Sequence, residues 1–322
     1  IEAGELAYGK SLNELEKKLK VLFEKKFCVL TSSGFASVFL SIKAFGLTNE
    51  NILIPSISSC FCLVNAIKAS GNIPIFCDVD EFSGNIDFNS AKKIFNSQGF
   101  KAIISPNHNG VIFDTLKLKK FSVPVIEDCA QSFLSSSERI SDSLIQIFSF
   151  FPTKISNGID GGAILTDDKN LYNTLKDIVY YGHQILNDNI VRYNFKMQNI
   201  NSSFLLGTLK KIASHKRKIL KIKKEYDKQL ANNQDFKILN QNTNYPFRYM
   251  IQFDNKKRCE IFLKEFMSYG VSKEFNFLTK KNKSFLNSSS VVFNTCALPL
   301  YPALKMGEIK LICDKINKFY EN

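Results

Sequence analysis

The sequence predicts an α/β fold: a mostly parallel seven-stranded sheet with helices on both faces, then a small C-terminal α+β domain. Three observations predict it. Short apolar runs alternate with helical patterns through the first half of the chain. Those runs are apolar at nearly every position, as in strands covered on both faces, rather than alternating apolar and polar. Beyond residue 200 the pattern turns helical, then mixes helix and strand.

The strands are read at 27–31, 52–55, 73–77, 102–105, 123–127, 145–150 and 163–166, each rich in Val, Ile, Leu or Phe. Amphipathic helices fall between several of them, at 12–23, 36–45, 61–69, 89–96 and 114–121. Phe204, Leu205, Leu209 and Ile212 keep a helical spacing, as do Ile219, Ile222, Tyr226 and Leu230. One long helix over 200–230 is therefore expected to join a large domain, 1–215, to a small one, 216–322. The stretch 232–244 is polar and reads as a loop. A strand at 247–253, a helix at 257–269, a strand at 291–294 and a helix at 307–320 complete the small domain, with 280–290 read as a polar, mobile segment.

Composition narrows the function classes. Hydrophobic residues make up 44% of the chain, which suits a globular protein. No apolar run reaches the roughly 18 residues of a membrane span, and no signal peptide is read, so a cytoplasmic protein without a membrane partner is expected. The eight cysteines are scattered without a CxxC pair and read as reduced core residues. Three unclustered histidines argue against a metal site. The formal charge is +13, from 43 basic and 30 acidic side chains, which suits nucleic acid, an anionic membrane or an anionic small molecule. Its densest patch, Lys216, Arg217, Lys218, Lys221, Lys223 and Lys224, interleaves with Ile219 and Ile222 as on an amphipathic helix. The patch reads as a solvated helix face, with a phosphate groove as the alternative.

Ligands of open α/β sheets gather beyond the carboxyl ends of the strands. Three motifs fall there. Ser32-Ser33-Gly34 stands before a helix, where free backbone N–H groups favour a phosphate and serine is also an ordinary N-cap. Asp128 ends the fifth apolar run, with Gln131 three residues on. Lys154 follows Ile147-Phe148-Ser149-Phe150-Phe151-Pro152-Thr153, and Gly158, Gly161 and Gly162 give a tight return. An amine and a carboxylate, each just past a strand end, suit pyridoxal phosphate (PLP): the lysine forms the Schiff base and the carboxylate pairs with the pyridinium nitrogen.

On these residues the chain resembles the sugar aminotransferases related to DegT, DnrJ, EryC and StrS, a group of fold-type I PLP enzymes. Ser32–Gly34 resembles their phosphate loop, Glu127-Asp128-Cys129-Ala130-Gln131-Ser132 their acid motif, and Ser149 to Lys154 with Gly161-Gly162-Ala163 their lysine motif. Arg192-Tyr193-Asn194-Phe195-Lys196-Met197 resembles their trans-subunit loop, and Leu298-Pro299-Leu300-Tyr301-Pro302 their C-terminal signature.

The resemblance implies an aminotransferase that moves an amino group from L-glutamate to a nucleotide-linked keto sugar, for surface glycans or glycosylated metabolites. It implies Lys154 as Schiff-base lysine and proton shuttle, Asp128 at the pyridine nitrogen and Gln131 at the ring hydroxyl. It places Ser33, Ser149 and the amides of Gly34 and Phe35 around the phosphate. It also implies that Asn194 reaches the phosphate of a neighbouring subunit, hence a homodimer with shared sites. Lys196, Lys216 and Arg217 are weaker candidates for the nucleotide, and no nucleic-acid partner is expected.

Some positions depart from the family pattern. Phe35 replaces a Thr or Ser, and Lys196 replaces an Arg. Asn107-His108-Asn109-Gly110 aligns so that His108 does not stand for the family histidine, and 135–139 and 274–289 match poorly. Two rivals share the fold. A dehydratase relative carries histidine in place of the lysine, which Lys154 argues against, and a non-catalytic regulatory relative would not be expected to keep Lys154, Asp128, Gln131 and Asn194.

Overall fold

The computed structural model describes residues 4, 6–138, 141, 143–180, 191–239, 243–280 and 284–319. In chain order its elements are α1 (Lys10–Leu22), β1 (Phe27–Thr31), α2 (Gly34–Ala44), β2 (Asn51–Pro55), β3 (Ile57–Ser58), α3 (Cys62–Ala69), β4 (Ile73–Cys77), α4 (Phe88–Gln98), β5 (Ala102–Pro106), β6 (Val125–Asp128), α5 (Phe133–Ser136), β7 (Ile145–Ser149) and β8 (Gly162–Thr166). There follow α6 (Lys169–Val179), α7 (Asn199–Lys210), α8 (Ile212–Leu230), β9 (Lys237–Ile238), β10 (Tyr249–Gln252), α9 (Lys256–Phe266), β11 (Asn276–Phe277), α10 (Leu286–Asn294), β12 (Thr295–Leu298) and α11 (Met306–Phe319).

Seven strands form one sheet in the order β1-β8-β7-β6-β5-β2-β4. The five from β4 to β7 pair in parallel, and β8 runs against both β7 and β1. The expected mostly parallel α/β sheet is therefore present. Alternation along each strand explains its double covering. Ile52 and Ile54 point into a cluster with Val38 of α2, Ile67 of α3 and Leu175 of α6, whereas Leu53 points into one with Ala91 of α4. A second sheet, β12-β10-β9, packs with α8, α9 and α11. One apolar cluster runs from Leu30 and Phe148 of the first sheet through Tyr226 of α8 to Tyr249, Phe262 and Ile312. Among the described residues no helix is long and apolar enough to cross a membrane.

Several sequence expectations need correction. The single helix over 200–230 is two. Lys211, at φ −94° and ψ −2°, donates its N–H to the Thr208 carbonyl and ends α7. Its apolar spacing ran on because Leu205 and Leu209 of α7 and Ile219 and Ile222 of α8 face the same core. Phe204, read as part of that stripe, is 49% exposed. The strand read at 291–294 is the end of α10, and the strand begins at Thr295. Distant groups set that helix: Asp78 accepts the N–H groups of Asn287 and Ser288, and the Ser288 hydroxyl, at 2.6–3.1 Å. The segment read as polar and mobile thus includes a docked helix start, with Ser288 buried; residues 281–283 and Arg139 lie outside the described residues. The sixth strand starts at Val125, after Pro124, and the fifth helical run is a 3₁₀ turn.

Candidate active site

Strand register decides what meets at the carboxyl edge of the sheet. Asp128 lies opposite Ile147, and Ser149 lies opposite Gly162, which also faces Thr31. A cavity of about 570 Å³ opens there. Ser33, Gly34, Phe35, Asp128, Gln131, Ser149 and Lys154 all line it.

One end of the cavity is a helix start. The Ser33 hydroxyl accepts the Ala36 N–H at 3.1 Å, so Ser33 is the N-cap of α2. The amides of Gly34 and Phe35, in the first turn, have no acceptor within the helix. The Phe35 ring stacks on Phe39, centroids 6.3 Å apart, which leaves its amide as the group it offers. A Cβ on Gly34 would sit 2.7 Å from Ser149 Cβ and 2.9 Å from Ser149 Oγ. A Cβ on Gly162 would sit 2.5 Å from the Ser33 carbonyl oxygen. Only glycine at both places lets α2 approach β7 and β8 this closely. Free amides at a helix start beside a serine suit a phosphate.

At the other end Asp128 accepts the Ala130 N–H at 2.9 Å. Burial pushes its carboxyl above the ordinary carboxylate range. The Ala130 hydrogen bond and the Lys154 charge offset this in part, and Glu127 adds to it. A carboxyl in that state gains from a cation placed against it. Its neighbour Glu127 points elsewhere and is fully satisfied by Asn107 (2.7 Å), Ser143 (3.0 Å), Gln146 (3.2 Å) and Ser141. Asn107, from the stretch that departs from the family pattern, thus anchors the acid motif from beneath.

The loop after β7 folds back on itself: the Phe150 N–H donates to the Gly161 carbonyl, Gly158 to Phe150 and Lys154 to Phe151, each at 2.8 Å. Gly161 sits at φ +137°, where a side chain is strained, and a Cβ there would also run into Met197 Cε. The loop presents Lys154 Nζ to the cavity, 5.0 Å from the Phe247 ring centroid.

The model of the DegT/DnrJ/EryC1/StrS aminotransferase family matches residues 1–317. The chain belongs to that family. It is 25% identical over 340 residues to the UDP-2-acetamido-2-deoxy-3-oxo-D-glucuronate aminotransferase of Pseudomonas aeruginosa, covering 96% of this chain and 91% of that one. It is 27% identical over 243 residues to the 3-oxo-glucose-6-phosphate:glutamate aminotransferase of Bacillus subtilis, covering 72% and 54%. Its fold matches the crystal structure of NtdA from Bacillus subtilis with bound cofactor PMP at a TM-score of 0.88, with 21% identity over 100% of this chain and 79% of that one.

Gln131 lines the cavity, but its amide is engaged: Oε1 accepts the Asn109 N–H at 2.8 Å, and Nε2 donates to Ser59 Oγ and Glu274 Oε1, both at 2.9 Å. A contact with a ring hydroxyl requires it to share one of those bonds. Asn194 lies outside the cavity, exposed, with its Oδ1 accepting from Lys196 Nζ at 2.7 Å. Lys196 is buried beside it, over the Tyr8 ring. Lys216 donates to Ser137 and Glu138, and Arg217 is exposed on α8, whereas Lys223 is buried with Ile219 and Ile222 and donates to Asp227, so only part of the basic patch is the outer face of the helix.

Four residues that line the cavity are not marked as site residues by the sequence: Cys60, Cys62, Arg248 and Glu274. Cys60 and Cys62 were read as core residues, yet both line the cavity and Cys60 is exposed. Arg248 and Glu274 come from the C-terminal part, Nε to Oε2 3.7 Å apart. Burial raises the Glu274 carboxyl, against the pull of Arg248, Gln131 and Lys154. Nothing local marked Arg248, since an arginine before an apolar run is common; Glu274 lay in a stretch that matched the family poorly.

Proposed function

We propose that the protein is a PLP-dependent aminotransferase that moves an amino group from L-glutamate to a nucleotide-linked keto sugar. The observation that carries the reading is the convergence of Lys154, Asp128 and the α2 N-terminus on one cavity. When bound, PLP supplies an electron sink for the carbon that gains or loses the amine. The residues present fit it. The Gly34 and Phe35 amides and Ser149 form a cradle that a Cβ at position 34 would fill, and the half-buried Asp128 carboxyl, raised by desolvation, gains from a cation.

In this reading Asp128 would pair with the ring nitrogen of bound PLP and keep it protonated. Lys154 Nζ takes the proton from the donor carbon and later delivers it, a role that contributes ~10²–10⁴-fold. Gln131, held by Asn109 and Glu274 at the cavity wall, would border the bound cofactor. The cavity divides between residues of 1–215 and, from 216–322, Phe247, Arg248 and Glu274. We take these parts as the two domains. Glutamate as donor and a sugar as acceptor draw support from the names of the two relatives. Exposed Val191, Ile200 and Phe204, in the stretch on either side of Asn194, support a homodimer interface. Visible absorption tests the reading: the purified protein should carry a yellow PLP band that bleaches with L-glutamate. Lys154→Ala should abolish the bleaching, and turnover retained in that variant would sink the mechanism.

A further inference from the structure

The cavity holds a cation that the cofactor leaves unused. Arg248 stands just before β10, with its side chain 29% exposed. Nη1 donates to the Phe247 carbonyl at 3.2 Å, and Glu274 lies 3.7 Å from Nε, beyond hydrogen-bond length. A guanidinium has five N–H donors. Among the described residues only the Phe247 contact is a hydrogen bond. The remaining donors sit at a cavity wall shared with Lys154.

We propose that Arg248 grips the α-carboxylate of the amino donor, with Glu274 as its resting counter-ion. The proposal rests on the aminotransferase reading and adds the group that recognises the donor. Both cations lie over one ring: Lys154 Nζ is 5.0 Å, and Arg248 Cζ 4.3 Å, from the Phe247 centroid. They are no further apart than those two lengths end to end. An α-amino acid spans about 3 Å from nitrogen to carboxylate oxygen. With a contact of about 3 Å at each end, it reaches nearly to the upper limit of that separation. A donor whose amine sits at Lys154 therefore brings its α-carboxylate to the guanidinium, while the distal carboxylate of glutamate reaches beyond.

The planar fork of arginine matches a carboxylate through two parallel bonds. Glu274 keeps the guanidinium compensated before the donor arrives, and its bond from Gln131 gives it a partner once displaced. One carboxylate replaces another, and neither charge is left bare.

The test uses PLP-loaded wild type, Arg248→Gln and Arg248→Lys, with single-turnover bleaching of the PLP band. The donors are L-glutamate and 4-aminobutyrate, which has no α-carboxylate. Arg248→Gln should weaken L-glutamate binding by about 30-fold and leave 4-aminobutyrate unchanged, with Arg248→Lys in between. Calorimetric titration with glutarate, which does not react, should show a loss in Arg248→Gln without any turnover. Unchanged L-glutamate and glutarate binding in Arg248→Gln overturns the proposal. So does a loss confined to the reaction of the aminated enzyme with a keto-sugar acceptor, which would assign Arg248 to the acceptor. A retained PLP band shows that the variant site is folded, and Arg248→Lys carries the test if Arg248→Gln is not. Failure of the wild type to take up PLP overturns the aminotransferase reading and this proposal together, whereas PLP uptake with unchanged donor binding overturns this one alone.

Discussion

A methyl group added at Gly34 tests whether the helix start and β7 form the phosphate cradle. The new Cβ would stand 2.7 Å from Ser149 Cβ, 2.9 Å from its Oγ and 3.4 Å from its Cα. Only the last is an ordinary contact, so α2 and β7 must part by several tenths of an ångström. Overpacking of this kind costs about 1–3 kcal/mol. The parting carries the Gly34 and Phe35 amides away from the ligand. Charge-assisted hydrogen bonds contribute about 1.5–3 kcal/mol each, so loss of one weakens PLP binding by about 10- to 100-fold. The atom in the way is Cβ, and this gives the test its edge. Ser149→Ala keeps that atom and should not rescue Gly34→Ala, whereas Ser149→Gly removes it. Gly34→Ala should therefore be nearly neutral in a Ser149→Gly background and costly in a Ser149→Ala background. Urea denaturation and visible PLP titration of the full cycle measure both quantities. Rescue by Ser149→Ala equal to that by Ser149→Gly would refute the reasoning.

Further outcomes follow from other contacts. Burial raises the Asp128 carboxyl in the ligand-free protein, so its protonation favours the fold: this contribution is full below the unfolded pKa and lost as pH rises through the folded value. Ligand-free Asp128→Asn should accordingly melt higher than wild type at pH 7, and the gap should close below about pH 4. The buried His108 ring, lowered to about 4 by desolvation, works in the opposite sense: its contribution is present above the unfolded pKa of about 6.5 and lost as pH falls toward 4, which an acid melting series on wild type and His108→Asn will show. Glu127→Gln exchanges an acceptor for a donor amid four donors, and should cost about 2–4 kcal/mol in urea denaturation. If Asn194 completes a neighbour's site, mixing inactive Lys154→Ala with inactive Asn194→Ala subunits should restore part of the activity, and a mixture as dead as its parts would remove Asn194 from the site.

What could be read from the sequence was what is coded locally. Ser33-Gly34 and Lys154 follow an apolar strand by a residue or a short loop, and Asp128 ends one, so the strand signal carried the site signal with it. Strand limits slipped by one or two residues where Pro124 or a flanking polar residue intervened. Groups acting across long sequence distances were hidden. The start of α10 is capped by Asp78, so two valines and a phenylalanine before Thr295 read as a strand. The partners of Gln131 lie at Ser59 and Glu274, and neither side of that triangle is visible from the other. The break at Lys211 was invisible because the apolar stripe continues across it.

The same long-range stitching sets a timetable for synthesis. β11 pairs with β3, Ser288 bonds Ser56, and Glu274 accepts from Gln131 across 143 positions. A ribosome adding ~5–20 residues per second needs about 7–29 s to travel from Gln131 to Glu274. Once β8 has been made the first sheet can assemble, while the Gln131 amide at the rim of its cavity still lacks Glu274. The nascent chain therefore holds an apolar, thiol-bearing cleft, with Cys60 at its edge, that closes only when the last quarter of the protein arrives.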